Sequence, residues 1–170
     1  MSDINSKLNK IKLLLTDVDG VLTDTGVYYS VSGEELKRFS LRDGMGVERL
    51  RKLVKVETGI ISGEKSLLVR KRADKLDIDE LHLGIKNKLK VLKSICKTND
   101  LEPEEIAFIG DDVNDLEIIK NVGLSACPND AMKDIKEKVD IVLENIGGHG
   151  AFREFAEIII EAKLKNRKED

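Results

Sequence analysis

Short apolar runs alternate along this chain with longer segments of helical spacing. Ile11–Thr16, Val56–Ile61, Glu80–Leu83, Ile106–Ile109, Leu124–Ala126 and Ile141–Leu143 read as strands. Between them, Val47–Val54, Lys65–Leu76, Lys88–Lys97 and Asp112–Asn121 place Leu, Val and Ile at the spacing of one helix face. This alternation predicts an α/β fold, a Rossmann-like parallel sheet with helices on both faces. One segment breaks the rhythm. Val27–Ser30 and Leu36–Ser40 flank Ser32-Gly33 with alternating side chains on each arm, which predicts a β-hairpin projecting from the loop after the first strand.

In such sheets ligands bind beyond the carboxyl ends of the strands. Polar residues at those ends are therefore the first candidates for chemistry. Asp17 and Asp19 close the first strand, Ser62 and Gly63 the second, Gly84 and Lys88 follow the third, and Gly110, Asp111 and Asp112 end the fourth. Asp17-Val-Asp19 is in strand phase, so both carboxylates leave on one side, where their repulsion calls for a cation or a proton. A turn accounts for Gly20 alone. An EF-hand loop is excluded, because its sixth and twelfth positions would be Leu22 and Tyr28 instead of Gly and Glu.

Hard carboxylate oxygens suit Mg2+, which commonly takes one or two of them together with a phosphate oxygen. Ser62 and the backbone of Gly63 offer donors to a phosphate, and Lys88 offers a point charge. Each has an ordinary reading as well: a helix cap for Ser62, a solvated face for Lys88 beside Lys86 and Lys90. A cap suffices for Asp112 and Asp115. Their convergence on one rim favours a phosphoryl-transfer site.

Composition narrows the class without naming a reaction. The chain has 170 residues, enough for a single domain, with polar tails expected at 1–9 and 164–170. With 29 basic against 32 acidic side chains the net charge is only -3, so nucleic-acid and membrane partners are not indicated. No apolar stretch resembles a signal peptide or a transmembrane segment. Cys96 and Cys127 lack metal-ligand spacing and read as reduced thiols of a cytoplasmic protein.

DVDGVLTD, Ile61-Ser62-Gly63, Asn87-Lys88-Leu89 and IGDDVND resemble, in order, the four motifs of the haloacid dehalogenase superfamily of phosphatases. More narrowly, GEELKRFSLRDGMGV and GGHGAFREF resemble the 3-deoxy-D-manno-octulosonate 8-phosphate (KDO 8-phosphate) phosphatases, whose relatives act on 9-phosphates of nine-carbon ulosonic acids such as KDN. The resemblance implies Asp17 as nucleophile, forming an aspartyl-phosphate. It implies Asp19 as acid and then base, Ser62, Gly63 and Lys88 as phosphoryl ligands, and Mg2+ on Asp17, Asp111 and the Asp19 carbonyl.

The intervals Gly20–Ser62 and Ser62–Lys88 are too short for a cap domain. The resemblance therefore implies a homotetramer in which neighbours cover each active site, with Val27, Tyr28 and Tyr29 as the association surface. For the substrate it points two ways. Arg42 follows the KDO 8-phosphate pattern, whereas Glu64 with Lys75 follows the KDN 9-phosphate pattern. KDO 8-phosphate is the expected sugar, with a KDN or sialic-acid-type 9-phosphate as the alternative. The segment Gly147–Glu154 reads as a flexible loop near the site mouth, carrying Arg153. Three rivals differ in class. A receiver domain would carry its acidic pair before a lone phosphorylated Asp, the reverse of this order. A phosphomutase would need a cap. A non-catalytic oligomerisation module would have lost Asp17, Asp19, Lys88 or Asp111, and all four are present.

Overall fold

Leu13–Thr16 (β1) is the strand against which the others are ordered. Its three leucines are buried because helices cover both sides of the sheet. The computed structural model describes residues 2–169. After β1 come the hairpin strands Val27–Ser30 (β2) and Gly33–Lys37 (β3), then Glu57–Ser62 (β4), Glu80–Leu83 (β5), Ile106–Ile109 (β6), Leu124–Cys127 (β7) and Ile141–Val142 (β8). The main sheet has six parallel strands in the order β5-β4-β1-β6-β7-β8. This is the α/β fold expected.

Two apolar layers flank the sheet. Leu14, Ile60 and Ile109 face one, with Ser2–Lys10 (α1), Leu41–Arg49 (α2), Leu67–Lys75 (α3) and the long helix that ends the chain. Leu15, Ile61 and Phe108 face the other, with Lys88–Asn99 (α4), Leu116–Ile119 (α5) and Lys133–Lys136 (α6). The helix starts follow local chemistry. The side chains of Ser40, Ser66 and Asn87 accept backbone N–H bonds at the first turns of α2, α3 and α4.

Five elements differ from expectation. The hairpin's second arm is Gly33–Lys37, and Arg38–Ser40 forms the connection into α2. The helix expected at Val47–Val54 begins at Leu41 and runs on as a π-helical turn, Leu50–Val54. Its first turns escape notice because Asp43, Gly44 and Gly46, not large apolar residues, form the buried face. The segment Asp112–Asn121 splits into a 3-10 turn, Val113–Asp115, and α5. Finally, the termini are not simple tails. Residues 2–10 form α1, with Leu8 buried, and Ala151–Glu169 forms the longest helix, α7, which takes in residues 164–169 of the expected tail; residues 1 and 170 lie outside the described residues. Phe152, Phe155, Ala156, Ile159 and Ile160 recur at helical spacing and are buried.

The hairpin is a sheet of its own, paired only β2 to β3, with a bulge at Tyr28/Tyr29. No cap domain is present among the described residues. Replacing Leu8 by Ala tests the packing of the N-terminal helix. Removal of a buried leucine there is expected to cost about 2–5 kcal/mol in denaturant unfolding, whereas a frayed tail would give no change.

Candidate active site

The parallel register sets the site. Thr16 of β1 lies level with Ile60 of β4 and Ile109 of β6, so Asp17, Ser62 and Asp111 emerge side by side. Beyond β1 the chain turns back at once. The Val18 carbonyl accepts from the N–H groups of Val21, Leu22 and Thr23. Gly20 sits in this turn at φ +88, and a Cβ on it would fall 1.9 Å from Asp111 Oδ2. Glycine is therefore required twice, for its left-handed backbone and for close approach of the turn to Asp111.

Asp17 is 5% exposed. Its Oδ1 accepts from the Val18 N–H at 2.7 Å, and its Oδ2 lies 2.9 Å from Lys88 Nζ. Lys88 opens α4 and is itself buried, so the solvated-face reading does not hold. Its ammonium also reaches Asp115 Oδ1 at 2.6 Å, while Asp115 Oδ2 accepts from the Asp111 N–H at 3.0 Å. Asp115 is fully buried. The helix cap expected for it is not what it makes: its side chain gives no cap bond at α5 and instead holds both Lys88 and the Asp111 backbone in place. The signal was available in IGDDVND, where Asp111 and Asp115 are one helical turn apart. Lys37 was missed altogether: its Nζ bonds both carboxylate oxygens of Asp19, at 2.7 and 2.9 Å.

Oxygens of Asp17, Asp111 and Asp115 lie within 4.8 Å of one another. Three carboxylates against one ammonium leave an excess of buried negative charge. Burial, followed by Asp115, raises Asp17 to about 7 against the opposing pull of Lys88. Burial, followed by Asp17 and Asp115, raises Asp111 to about 8. The same carboxylates outweigh burial at Lys88 and raise its pKa. This cluster fits a divalent cation. Asp17 and Asp115 each also hold Lys88, and the oxygens of all three carboxylates are close enough together to share one ion.

The cleft above these groups has a volume of about 230 Å³ and is lined by Asp17, Asp19, Ser62, Gly63, Glu64 and Asp111, among others. Ser62 Oγ accepts from the Glu64 N–H at 3.2 Å, and the loop is braced by Gly84 N–H to Glu64 O. A larger groove, about 340 Å³, lies at the amino ends of the strands between Lys12 and Glu80 and contains none of this chemistry. Of the three residues expected at the sugar, only Glu64 lines the cleft. Arg42 borders a separate groove with Arg38 and His149, and Lys75 another with Glu48 and Arg51. Glu64 and Lys75 are not a contact pair within one chain, since Glu64 precedes the start of α3 and Lys75 ends it. Arg153 turns away from the cleft to Glu157, at 2.7 Å. The segment before it is no loose loop, because Gly147 and Gly148 are buried against the turn at 20–24.

Residues 68–154 match the haloacid dehalogenase-like hydrolase family. Over 164 residues the chain is 38% identical to the 3-deoxy-D-manno-octulosonate 8-phosphate phosphatase of Escherichia coli K12, which spans 96% of this chain and 87% of that protein. The enzyme of that name from Moraxella catarrhalis, in complex with magnesium, phosphate and a KDO molecule, superposes with a TM-score of 0.93 at 32% identity, over 99% of this chain and 96% of that one. The cobalt-bound enzyme from Haemophilus influenzae gives 0.90 at 38% identity, over 94% and 92% of the two chains.

The raised carboxylates predict a pH signature for the metal-free protein. Between the ordinary aspartate range and about 8, the folded state keeps protons on Asp17 and Asp111 that the unfolded chain has released. Stability should therefore fall as pH rises through that window. Mg2+, which replaces those protons, should raise the melting temperature more at about pH 8.5 than at about pH 6. Thermal melts with EDTA and with Mg2+ at both pH values check this, and an equal Mg2+ effect at both would contradict the assignment.

Proposed function

The chain belongs to the haloacid dehalogenase-like hydrolases, among the KDO 8-phosphate phosphatases, and from that premise we propose that it hydrolyses the phosphate monoester of KDO 8-phosphate with Mg2+ as cofactor. One observation carries the reading. The buried Asp17 lies against Lys88, beside Ser62 and Asp111, at the adjoining ends of three parallel strands.

The chemistry follows from the residues. The Asp17 carboxylate attacks phosphorus, the bond from phosphorus to the sugar oxygen breaks, and Asp19 gives that oxygen its proton. Asp19 then takes a proton from the water that attacks the aspartyl-phosphate, which releases inorganic phosphate and regenerates Asp17. Ser62, the Gly63 N–H and Lys88 hold the phosphoryl oxygens as charge builds on them. Asp17, Asp111 and the Asp19 carbonyl would hold Mg2+, which supplies positive charge to the transferring group and offsets the crowded carboxylates. Lys88 is well suited to its part because Asp115 fixes it from behind.

Glu64 favours a second reading of the sugar. It is the one expected sugar ligand on the cleft wall, and it follows the pattern of the KDN 9-phosphate enzymes. Phosphate release from KDO 8-phosphate, KDN 9-phosphate and N-acetylneuraminate 9-phosphate, each with Mg2+ and with EDTA, separates the two. KDO 8-phosphate is expected to be preferred, and Asp17→Asn to lower turnover by at least about a thousandfold. No Mg2+-dependent release from any of the three would end the phosphatase reading.

The assembly belongs to the same reading. With no cap domain among the described residues, the open cleft would be covered by neighbouring subunits of a homotetramer. Tyr28, Tyr29, Val31 and Leu36 stand exposed on the hairpin, as an association surface requires. A cytoplasmic location accords with the two unpaired cysteines, Cys96 and Cys127. No described helix is long and apolar enough to cross a membrane. Light scattering should give a tetramer for the wild type, and the pair Tyr29→Glu, Val31→Glu should reduce both the mass and the activity. A wild-type monomer with full activity would refute the shared site.

A further inference from the structure

We propose that Lys37 is a positioning residue for Asp19, fixing the acid–base carboxylate at the edge of the cleft from the hairpin side. This inference rests on the phosphatase reading above.

The turn after β1 holds the Asp19 backbone but leaves its side chain two free torsions. Thr23 Oγ1 approaches it only at 3.5 Å, too far for a firm hydrogen bond. The strong contact comes from a distant part of the chain. Lys37, the last residue of β3, places its ammonium 2.7 and 2.9 Å from the two Asp19 oxygens, and Glu34 lies 3.2 Å from the same nitrogen. The Lys37 side chain is 2% exposed, whereas that of Asp19 is 29% exposed. A lysine buried to that extent is costly unless its charge is met, and Asp19 and Glu34 meet it.

The cleft lining includes Asp19 and not Lys37. The ammonium therefore approaches the carboxylate from behind, with Asp19 between it and the reacting group. It does not touch substrate and acts only through Asp19. Its chemistry suits that part. An ammonium carries three rotatable donors and can follow one Asp19 oxygen as the other turns to the leaving group. The hairpin strands pair only with each other, and side chains tie them to the body: Lys37 to Asp19, Arg38 Nη1 to the Gly148 carbonyl at 2.9 Å and to Asp24 at 3.5 Å, and Arg72 to the Ser40 carbonyl at 2.7 Å beyond them. Lys37 is the one that ends on a reacting residue.

Leaving-group dependence tests the proposal, because only a poor leaving group needs a placed acid in the first half-reaction. With KDO 8-phosphate, an alkyl ester, Lys37→Met should lower kcat/KM by at least about tenfold. With p-nitrophenyl phosphate, whose phenolate leaves unprotonated, the loss should stay within about threefold. Asp19→Ala should show the same selectivity, and adding Lys37→Met to it should change little more. Lys37→Arg, which keeps the cation, should recover much of the loss on the sugar ester. Lys37→Gln, which removes the charge and keeps a polar side chain, serves as the test variant if Lys37→Met does not fold. Equal losses on both esters, or none on either, would overturn the positioning role while leaving the phosphatase reading intact. Failure of the wild type on both esters with Mg2+ would overturn the reading itself, and this proposal with it.

Discussion

Lys88 carries the positive charge at the centre of the buried acidic cluster, and the carboxylates around it outnumber it. Its ammonium is shared between Asp17 and Asp115 at 2.9 and 2.6 Å, while Asp111 completes an acidic cluster that one cation cannot neutralise. Burial first, and then that imbalance, pushes Asp17 and Asp111 upward, while the carboxylates outweigh burial at Lys88 and keep it charged. The imbalance also explains why the cluster suits a divalent ion. Such an ion brings the positive charge that the cluster lacks. Removing Lys88 would leave Asp17 and Asp115 as buried carboxylates without their partner, which is more costly than never having buried them.

The frame around this cluster is steric as much as electrostatic. Gly20 lets the turn after β1 rest against Asp111, and Gly147 lets the C-terminal segment rest against that turn, where a Cβ would fall 2.0 Å from the Gly20 carbonyl. Two segments more than a hundred residues apart in sequence are thereby locked together at the catalytic turn. The lock extends further. Asp43 of α2 accepts from the Arg153 N–H at 2.9 Å near the start of α7, and Arg49 joins Arg153 on Glu157. A segment that reads as a mobile mouth loop is a buried support for the turn that carries Asp17 and Asp19.

The strands were legible because a sheet buried on both faces demands uninterrupted apolar runs, and Leu13–Leu15, Ile60–Ile61 and Ile106–Ile109 satisfy that demand. The rim followed, since parallel strands bring their carboxyl ends to one side. Asp17, Asp19, Ser62, Gly63 and Asp111 could therefore be assigned to one cleft before any contact was known. Lys88 was legible by the same logic, and its burial goes beyond what the neighbouring lysines suggested. Helices were harder where a face is formed by small or charged residues. The start of α2 is hidden in Asp43, Gly44 and Gly46, and the polar ends of α1 and α7 resemble tails.

The sequence by itself determined the layered α/β fold, the order of its strands' reactive ends and the acidic, Mg2+-suited character of the cleft. Those properties depend on local periodicity and on residue type, which are written along the chain. Tertiary structure alone decided which side chains meet. Asp115 turns inward to Lys88, Arg153 turns away to Glu157, Arg42 and Lys75 lie on other grooves, and Lys37 reaches Asp19 from the hairpin. The reason is physical. A long polar side chain can satisfy its charge with any partner within reach, and the partner within reach is set by packing between elements that sequence spacing does not record.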